Sequence, residues 1–392
     1  MLSEMKRAYK FRIYPNNHQE LRLNRTLDPC RHLYNDSLAE RKRQAELNRL
    51  SFEFHVFPWG KPEWISYEDQ ANEMASLKTP EQKEVYSQVL QNVLKRLDRS
   101  FKNFFNGFGY PRFQGRGRYN TFTYPQSGFE IKDGKLTLSK IGSIKIVQHR
   151  EIEGKIKTCT IRRDIDQWYV IFTVEIDQDI PKVHINSQIG IDVGLTSLLT
   201  LSNGMTVEPP RFLRQSEERL IREQKKLSKT KKSSHNRTRQ KIKVGRVHRH
   251  VRNQRKDFAH KTSRWLVNTY DHMVFEDLQI QNMVKNHHLA KSISDAGWYQ
   301  LINFTNSKAE YAGKIVEVVN PGNTSQVCLC GQSVQKNLSV RVHKCPSCGL
   351  TMDRDHIAAK IILNRSTVGT TGIKACQSIL NREPMKQEAS QL

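Results

Sequence analysis

The sequence lacks any long apolar segment. No stretch approaches the roughly 20 consecutive apolar residues that a membrane-spanning helix requires. The opening residues, MLSEMKRAYKFRIYP, also lack the apolar core of a secretory signal. These two absences argue against a transmembrane or secreted protein and predict one that stays inside the cell.

Acidic residues are scarce relative to basic ones. The chain has 39 Asp and Glu residues against 64 Lys and Arg residues, which gives a net charge of +25. Residues 211–261 alone carry 19 basic and 4 acidic residues, in a pattern that predicts two long helices separated near KTKKSSHN. Such an excess usually binds a polyanion, because Lys and Arg displace counterions from phosphates. Nucleic acid is the first candidate and an anionic membrane the second, while a solvated helix face is the ordinary alternative for a charge run.

Cysteine is sparse and unevenly placed. Four of the seven cysteines lie between positions 328 and 348, and Cys30, Cys159 and Cys376 are isolated. A disulfide framework would need an even, dispersed set in an oxidising compartment. The pattern therefore favours metal ligation in a reducing compartment, with the three isolated cysteines as packing residues.

Hydrophobic residues make up 37% of the chain, and three regions with different residue patterns follow one another along it. Residues 8–14 alternate like a strand, and helical spacing continues from Asn17 to about residue 106. Short alternating runs such as KLTLSK, SIKIVQ and WYVIFTVEID then predict a small β-barrel that the strand at 8–14 closes. From residue 188 the order is three strands, helical material, a strand, one helix over SDAGWYQLINFTNSKAEYAG, a strand and a last helix.

This last order of elements is that of a ribonuclease-H-like domain, and three acids lie where such a domain needs them. Asp192 lies inside a buried strand (GIDVG), Glu276 at the end of the fourth strand and Asp355 in the first turn of the last helix. A carboxylate in an apolar strand is costly to bury without a cation. Glu276 and Asp355, taken singly, are also typical of a surface acid or a helix N-cap. The glycines beside Asp192 would permit close approach of a phosphate backbone.

Three converging carboxylates predict a metal-dependent nuclease. Hard carboxylate oxygens bind Mg²⁺, and a pair of ions activates a water and stabilises the leaving 3′-oxygen in phosphodiester hydrolysis. Asp192, Glu276 and Asp355 are therefore the candidate catalytic residues and the candidate ligands of two Mg²⁺ ions.

Six segments carry a family resemblance: GIDVGLTSLLTLSNG, FEDLQIQNM, LAKSISDAGWYQL, NTSQVCLCG, HKCPSCG and DRDHIAA. Together they resemble the TnpB family of transposon-encoded RNA-guided DNA nucleases, relatives of the type V CRISPR effectors, over roughly residues 8–365. The resemblance implies that Asp192, Glu276 and Asp355 form a RuvC-type catalytic triad.

The resemblance also implies a multidomain fold of the α/β and α+β classes. A β-barrel wedge domain, interrupted by a helical recognition domain, would precede an RNase-H-like (RuvC) nuclease domain with an inserted zinc ribbon. The implied boundaries are 1–15 and 107–185 for the barrel, 16–106 for the helical domain, 186–322 and 350–368 for the nuclease domain, 323–349 for the zinc ribbon and 369–392 for a flexible tail.

The implied partners are a guide RNA from the transposon end and double-stranded target DNA with its displaced single strand, with no membrane. The implied location is a prokaryotic cytoplasm, near the nucleoid. The protein would read a short motif beside the target, while base pairing with the guide reads the rest. By position in the family pattern, Tyr67, Gln91 and Thr123 are candidate contacts to that motif, although a Tyr or Gln on a helix is more often a surface or packing residue.

The cysteine segment predicts a zinc ribbon in which Cys328, Cys330, Cys345 and Cys348 hold one structural Zn²⁺ ion tetrahedrally. Only one residue separates Cys328 from Cys330, where the family normally has two, and the tighter loop strains this geometry. The alternatives are that His343 replaces one thiolate, or that the site binds metal weakly.

Two further positions concern the catalytic site. Arg341 lies on the stretch expected near the metals and is a candidate contact to the scissile phosphate. Ile357 stands where the family usually has Asn, a change expected to alter the hydrogen bonding around Asp355 and the cleavage rate.

The sequence therefore predicts an RNA-guided, Mg²⁺-dependent DNA endonuclease. One alternative is a guided DNA-binding regulator with weak or no nuclease activity, which Ile357 and the short cysteine spacing keep open. A transposition accessory protein is another. A DNA-joining transposase would need paired metal-binding histidines and a nucleophilic tyrosine, and a guide-free junction resolvase would have no use for the first 185 residues.

Overall fold

A computed structural model describes residues 3–54, 62–178, 181, 184–322, 324–336 and 340–366. The chain divides into two compact units, Met1–Gln178 and Asp179–Leu392. Among the described helices, none is both long and apolar enough to cross a membrane. The predicted tail at 369–392 lies outside the described residues.

The first unit contains a sheet interrupted by helices. Its strands are β1 (Ser3–Tyr14), β2 (Thr121–Tyr124), β3 (Phe129–Lys132), β4 (Lys135–Leu138), β5 (Gly142–Val147), β6 (Lys155–Asp164) and β7 (Gln167–Gln178). Between β1 and β2 lie the helices α1 (Asn17–Glu53), α2 (Tyr67–Ser76), α3 (Pro80–Lys83) and α4 (Ser87–Phe105).

The strands of the first unit form one nearly closed barrel-like sheet in the order β2-β6-β7-β1-β5-β4-β3. Strand β1 lies in the middle and pairs antiparallel with both β7 and β5. The Tyr124 hydroxyl on edge strand β2 donates a hydrogen bond to the Ser139 carbonyl, just after β4, at 2.9 Å. The predicted multidomain fold with a barrel that includes the first strand is confirmed, with that strand beginning at Ser3 rather than residue 8.

Alternation explains why these segments are strands. In β1, Tyr9, Phe11 and Ile13 are buried, and they alternate with residues that are half-buried or exposed. Val170 and Phe172 of β7 join the same apolar core. Helices α1 and α4 contribute further apolar residues to it: Leu23, Leu27, Leu90, Leu94 and Leu97.

The second unit contains a five-stranded sheet, a small hairpin and six helices within its described residues. The strands are β8 (Gln188–Val193), β9 (Leu199–Leu201), β10 (Thr206–Val207), β11 (His272–Glu276), β12 (Ile315–Val319), β13 (Val342–Lys344) and β14 (Thr351–Asp353). The helices are α5 (Phe212–Ser228), α6 (His235–Thr269), α7 (Ile280–Met283), α8 (His287–Ala296), α9 (Trp298–Tyr311) and α10 (Arg354–Asn364).

The sheet order in the second unit is β10-β9-β8-β11-β12. Strands β8, β11 and β12 are parallel, whereas β9 and β10 continue the sheet antiparallel. The carboxyl ends of β8 and β11 therefore meet at one edge. Helix α10 packs on β8, while β13 and β14 pair as a separate hairpin.

Two sequence predictions about glycines need correction. The helix predicted over SDAGWYQLINFTNSKAEYAG is two helices, because Gly297 adopts a left-handed φ of 65° between α8 and α9. Gly190, read as room for a phosphate backbone, instead makes room for α10: a Cβ there would lie 2.1 Å from the Ala359 carbonyl oxygen. A Cβ on Gly194 would lie 2.9 Å from the Ser197 carbonyl oxygen, so the neighbouring loop fills that space.

Candidate functional site

Asp192 and Glu276 end adjacent parallel strands. In the register of β8 and β11, Ile191 lies opposite Phe275, so the next residues on the two strands are Asp192 and Glu276. Parallel strands bring their carboxyl ends to the same edge of a sheet, which is where open α/β sheets place their ligand sites. The two acids, 84 residues apart in the chain, thus lie side by side.

Asp355 reaches the same edge from the start of α10. The Asp353 carboxylate caps this helix by accepting hydrogen bonds from the backbone N–H groups of Asp355 and His356, at 2.9 and 3.1 Å. Asp353 is therefore the N-cap of the helix, which begins at Arg354. Helix α10 packs on β8, so Asp355 lies close enough to influence the protonation of Asp192.

Loss of solvation keeps the carboxyl groups of Asp192 and Glu276 from ionising easily. Burial, first, and then the nearby Glu276 and Asp355 carboxylates raise the pKa of Asp192 to about 8. Burial also raises the pKa of Glu276, against the opposing effects of the Thr324 hydroxyl, which donates a hydrogen bond to it, and of Arg365. A bound cation would relieve both costs, so the donor set fits a hard divalent metal.

Thr324 is a site residue that the sequence reasoning missed. Its hydroxyl donates to the buried Glu276 carboxylate, in the segment NTSQ that precedes the cysteines. That segment belongs to the family resemblance, which is the signal that could have singled out Thr324.

Arg341 lies against Asp355, as the sequence predicted for a residue near the acids. Its guanidinium donates to the Asp355 carboxylate at 3.4 Å and to the Thr196 hydroxyl at 3.0 Å. The Arg354 guanidinium donates to the other Asp355 oxygen at 3.0 Å. Two cations thus lie beside this acid, and half of the Arg341 side chain remains exposed.

The four predicted cysteine ligands come together. The sulfur atoms of Cys328, Cys330, Cys345 and Cys348 all lie within 4.8 Å of one another, in a group that could hold a metal ion. The Sγ atoms of Cys328 and Cys348 are 3.6 Å apart, and those of Cys330 and Cys345 are 3.7 Å apart. The short spacing of the first pair therefore does not keep its thiols out of the group.

His343 is not part of that group. It is fully buried, and its Nδ1 atom contacts the Lys336 ammonium rather than the sulfur atoms. The arrangement thus favours the four-cysteine set over replacement by His343. Backbone N–H groups of Cys348 and Ser347 lower the pKa of Cys345, which favours the thiolate form that metals bind.

Among the described residues, the cysteines are the one group with three or more ligand atoms inside 4.8 Å. The oxygens of Asp192, Glu276 and Asp355 are therefore more widely spread than the shell of a single ion.

Ile357 connects the two clusters. It is fully buried in an apolar cluster with Cys328 and Cys345, with Val334, Leu350 and Met352 packed around them. The sequence placed this residue in the hydrogen-bonding surroundings of Asp355, but in the structure its side chain packs beneath the cysteines. The start of α10 therefore carries one acid of the carboxylate site and one apolar support of the cysteine cluster.

The three candidate motif contacts all lie in the first unit. Tyr67 begins α2, and its ring lies 5.6 Å from the Lys95 ammonium of α4. Gln91 is exposed one turn earlier on α4, so Tyr67 and Gln91 lie on neighbouring parts of the surface. Thr123 lies on β2, which packs against α4, and its hydroxyl hydrogen-bonds that of Thr160 at 2.9 Å.

The basic segment forms the two predicted helices, α5 and α6. Residues 225–243, which include the turn between them, contain nine Lys or Arg and no Asp or Glu. At the other end, the Asp295 carboxylate accepts hydrogen bonds from the Leu213 N–H, at 3.1 Å, and from Arg255, at 2.7 Å in their ion pair. Asp295 thus links the start of α5 to the middle of α6. The turn that joins the two helices, called here the α5–α6 tip, presents a concentrated positive charge.

Three models of known protein families match parts of this chain. Family models described as "Probable transposase" and "Cas12f1-like, TNB domain" match residues 171–287 and 298–362. A third, described as "Helix-turn-helix domain", matches residues 1–49, where the structure has β1 and the 37-residue helix α1.

Two relatives match almost the whole chain. An Escherichia coli (strain K12) protein named "Putative RNA-guided DNA endonuclease InsQ" is 31% identical over 98% of this chain and 98% of its own length. A Streptomyces pristinaespiralis protein named "Putative RNA-guided DNA endonuclease" is 34% identical over 93% of this chain and 90% of its own length.

The fold also resembles a solved structure. The cryo-EM structure of a Cas12f1-sgRNA-target DNA complex matches with a TM-score of 0.55 at 14% identity, and the match covers 92% of this chain and 99% of that chain. At this identity the likeness concerns the fold. With relatives above 30% identity aligned over nearly the full length, the chain belongs to the TnpB family of IS605-type transposons.

Proposed function

We propose that the protein is an RNA-guided DNA endonuclease whose catalytic residues are Asp192, Glu276 and Asp355. The observation that carries the proposal is the convergence of these three acids, from β8, β11 and α10, at one edge of a sheet. The names of the two full-length relatives support the same activity.

The geometry supports a specific division of labour. Half-buried Asp192 and buried Glu276, at the strand ends, would hold the cations, and Asp355 would complete the set from α10. Two bound Mg²⁺ ions would supply an activated water and charge stabilisation at the leaving 3′-oxygen. Thr324 would keep the Glu276 carboxylate oriented through its hydrogen bond. Half-exposed Arg341, already beside Asp355, would position the scissile phosphate.

The sheet order supports an RNase-H-like nuclease domain in the second unit. A central parallel pair that carries two acids, antiparallel strands on one side and a helix that supplies the third acid all suit such a domain. The cysteine group suits an inserted zinc ribbon, because four thiolates form a closed tetrahedral site of the structural kind. We propose Zn²⁺ as its metal.

The remaining parts have proposed roles in nucleic-acid binding. The α5–α6 tip would bind phosphates of the guide RNA or target DNA through its basic residues. Tyr67, Gln91 and Thr123 would read the motif beside the target, on the surface where α2, α4 and β2 meet. The nearly closed sheet and its helical insertion would be the wedge and recognition domains.

A second candidate is a guided DNA-binding protein with weak or no cleavage. The observation that favours it is that both oxygens of Asp355 accept bonds from guanidinium groups, of Arg341 and Arg354. Metal binding at Asp355 would have to compete with these two cations, whereas DNA binding would not.

One experiment separates the two functions. The protein is purified, its co-purifying RNA is sequenced, and the complex is incubated with plasmids that carry the matching target beside randomised flanking sequence. The proposed function predicts one abundant structured RNA with a variable end, and cutting of matched plasmids only when Mg²⁺ is present. Target binding without cutting in Mg²⁺ would favour the second candidate, and co-purification of random RNA fragments would contradict both.

A further inference from the structure

A row of exposed aromatic rings follows the end of α4. Phe105 is 77% exposed, Phe113 51% and Tyr110 38%. Neighbouring side chains connect them: the Phe104 ring lies 5.4 Å from Phe105 and 5.0 Å from Tyr110. The Lys42 ammonium lies 5.3 Å from the Tyr110 ring and 4.7 Å from the Phe113 ring. Large apolar rings on a surface cost solvation, so a connected row of them indicates a binding surface.

The same segment is positive and without acid. Residues 99–129 contain five Lys or Arg residues and no Asp or Glu. Arg112, Arg116 and Arg118 are exposed; Arg112 lies between Tyr110 and Phe113 in the chain, and the other two follow Phe113. A segment with rings and guanidinium groups, but without carboxylates of its own, complements a ligand with flat faces and negative charge.

The backbone that carries these side chains is held in place. Gln114 exchanges two hydrogen bonds with the Asn35 side chain of α1, at 2.8 and 3.0 Å, and Pro111 is buried. The Tyr110 ring packs edge-on against Phe101 and Phe104 of α4. The loop is therefore anchored between α1 and α4, while its rings and arginines are exposed, so little order would have to be gained on binding.

We propose that this surface, formed by Phe105, Tyr110, Phe113, Arg112, Arg116 and Arg118, binds unpaired nucleotides. The rings stack against bases, which every base permits because each has a π-face, and the arginines bind the phosphates between them. A duplex hides its base faces, so it can use the arginines but not the rings. The surface therefore discriminates single-stranded from double-stranded polynucleotide without reading sequence.

The source of the unpaired nucleotides is a single-stranded part of a bound RNA or a displaced DNA strand. Both present the same stacked bases and phosphates. The inference depends on the proposed function only in naming these two sources of unpaired nucleotides. Binding is measured without cleavage, so the inference holds or fails whether or not the carboxylates cut DNA.

The test uses the full-length protein, freed of co-purifying nucleic acid, in buffer without added divalent metal. Labelled single-stranded RNA, single-stranded DNA and duplex DNA of one length are titrated by fluorescence anisotropy. We expect Phe105→Ala/Phe113→Ala to weaken binding of a single strand by at least about tenfold, the scale of lost base stacking. Binding of the duplex should stay within about twofold, because base faces in a duplex are not accessible to the rings.

The arginines provide an independent readout. For Arg112→Ala/Arg116→Ala/Arg118→Ala, the slope of log affinity against log salt for a single strand should become shallower by about 0.7 for each phosphate that the variant no longer binds. The ring variant should keep the wild-type slope, since stacking releases no counterions. An unchanged salt slope in the ring variant and a shallower slope in the arginine variant would distinguish base stacking from general attraction to positive charge.

Matched controls exist on α1. Phe52 is 82% exposed, and Arg49 is paired with Glu46 and Glu53, so Phe52→Ala and Arg49→Ala remove a comparable ring and a comparable guanidinium outside the surface. Both should bind as wild type, and thermal melting should show that all variants fold. Weakened binding confined to RNA or to DNA identifies the source. Unchanged single-strand affinity in the ring variant, or equal weakening on duplex and single strand, would overturn the proposal.

Discussion

The carboxylate site takes its acids from positions 192, 276 and 355, whereas the cysteine cluster takes its four thiols from positions 328 to 348 alone. Glu276 is buried and Asp192 and Asp355 are half-buried at a sheet edge, where loss of solvation raises the pKa of Asp192 and Glu276. Two of the thiols, those of Cys330 and Cys348, are exposed. The first arrangement exists only when the sheet of the second unit is complete, while the second needs only a local segment to close.

The two sites therefore depend on different interactions for their stability. The carboxylate site lies on a sheet that can fold without a bound metal. The close placement of its acids lowers the stability of that metal-free fold. The cysteine cluster has few apolar residues of its own, so its metal would supply much of its stability. Helix α10 links the two through Asp355 and Ile357.

The largest expected effect comes from removing an acid at the sheet edge. Asp192→Ala should lower guided DNA cleavage by about a thousandfold or more, because metal-ion stabilisation is worth several kcal/mol of the barrier. Target binding, measured by gel shift, should remain. Asp257→Ala removes an exposed acid of α6 and should cut as wild type. Cleavage that survives Asp192→Ala would remove the carboxylates from the proposed site.

Breaking the cysteine cluster should have a smaller effect on cleavage. Cys345→Ala should abolish binding of the proposed Zn²⁺ ion, measured by mass spectrometry of the metal content. Cleavage should fall by about 10- to 100-fold, as for residues that position metal ligands, because Ile357 and the start of α10 lose support. Cys30→Ala, a buried cysteine of the first unit, should keep both metal and activity. Full activity in metal-free Cys345→Ala would show that the two sites are independent.

The pH dependence of the free energy of unfolding measures how far the surroundings of Asp192 destabilise the metal-free protein. Burial and the neighbouring carboxylates raise the Asp192 pKa from 3.8 in the unfolded chain to about 8, so between these values the folded protein binds a proton that the unfolded chain has released. The free energy of unfolding should therefore fall as pH rises through this window, by at most about 1.4 kcal/mol per unit.

Asp192→Asn removes that contribution. The comparison is urea unfolding of both proteins at several pH values without divalent cations. The difference between their pH slopes isolates Asp192 from other titrating groups. Parallel curves would show that Asp192 carries no such cost.

The smallest expected effect tests the link between the sites. Ile357→Asn restores the residue that the family usually has, but it places an amide in the apolar cluster beneath Cys328 and Cys345. We expect the free energy of unfolding to fall by about 1–3 kcal/mol, the cost of burying a polar group without partners. The conservative Ile357→Val should cost less, and a gain in stability for Ile357→Asn would mean that the amide finds partners near Asp355.

Much of the second unit could be read from its sequence. Strand β8 is an apolar run interrupted by Asp192, β11 is an apolar run that ends at Glu276, and helical spacing begins near Asp355, so these three elements and their acids could be read from local pattern. The cysteine group was equally readable, because ligand spacing is a property of a short segment.

Contacts between distant residues could not be read in the same way. The hydrogen bond from Thr324 to Glu276 and the packing of Ile357 under the cysteines depend on how separate segments meet. Strands β2 (TFTY) and β3 (FEIK) alternate polar and apolar residues, but each is only four residues long and follows a segment rich in glycine and aromatic residues, so neither was singled out as a strand. The break at Gly297 was missed because apolar spacing continues through it, although its backbone turns left-handed.

Gly190 sets how deeply the last helix can lie on the sheet. A Cβ there would meet the backbone of Ala359 and the Cβ and backbone nitrogen of Leu363, none of which can rotate away. Every other amino acid would lift α10 and carry Asp355 away from its partners. A genetic selection for chains that fold but no longer cut should therefore return Gly190 together with the three acids, although this glycine has no chemistry of its own.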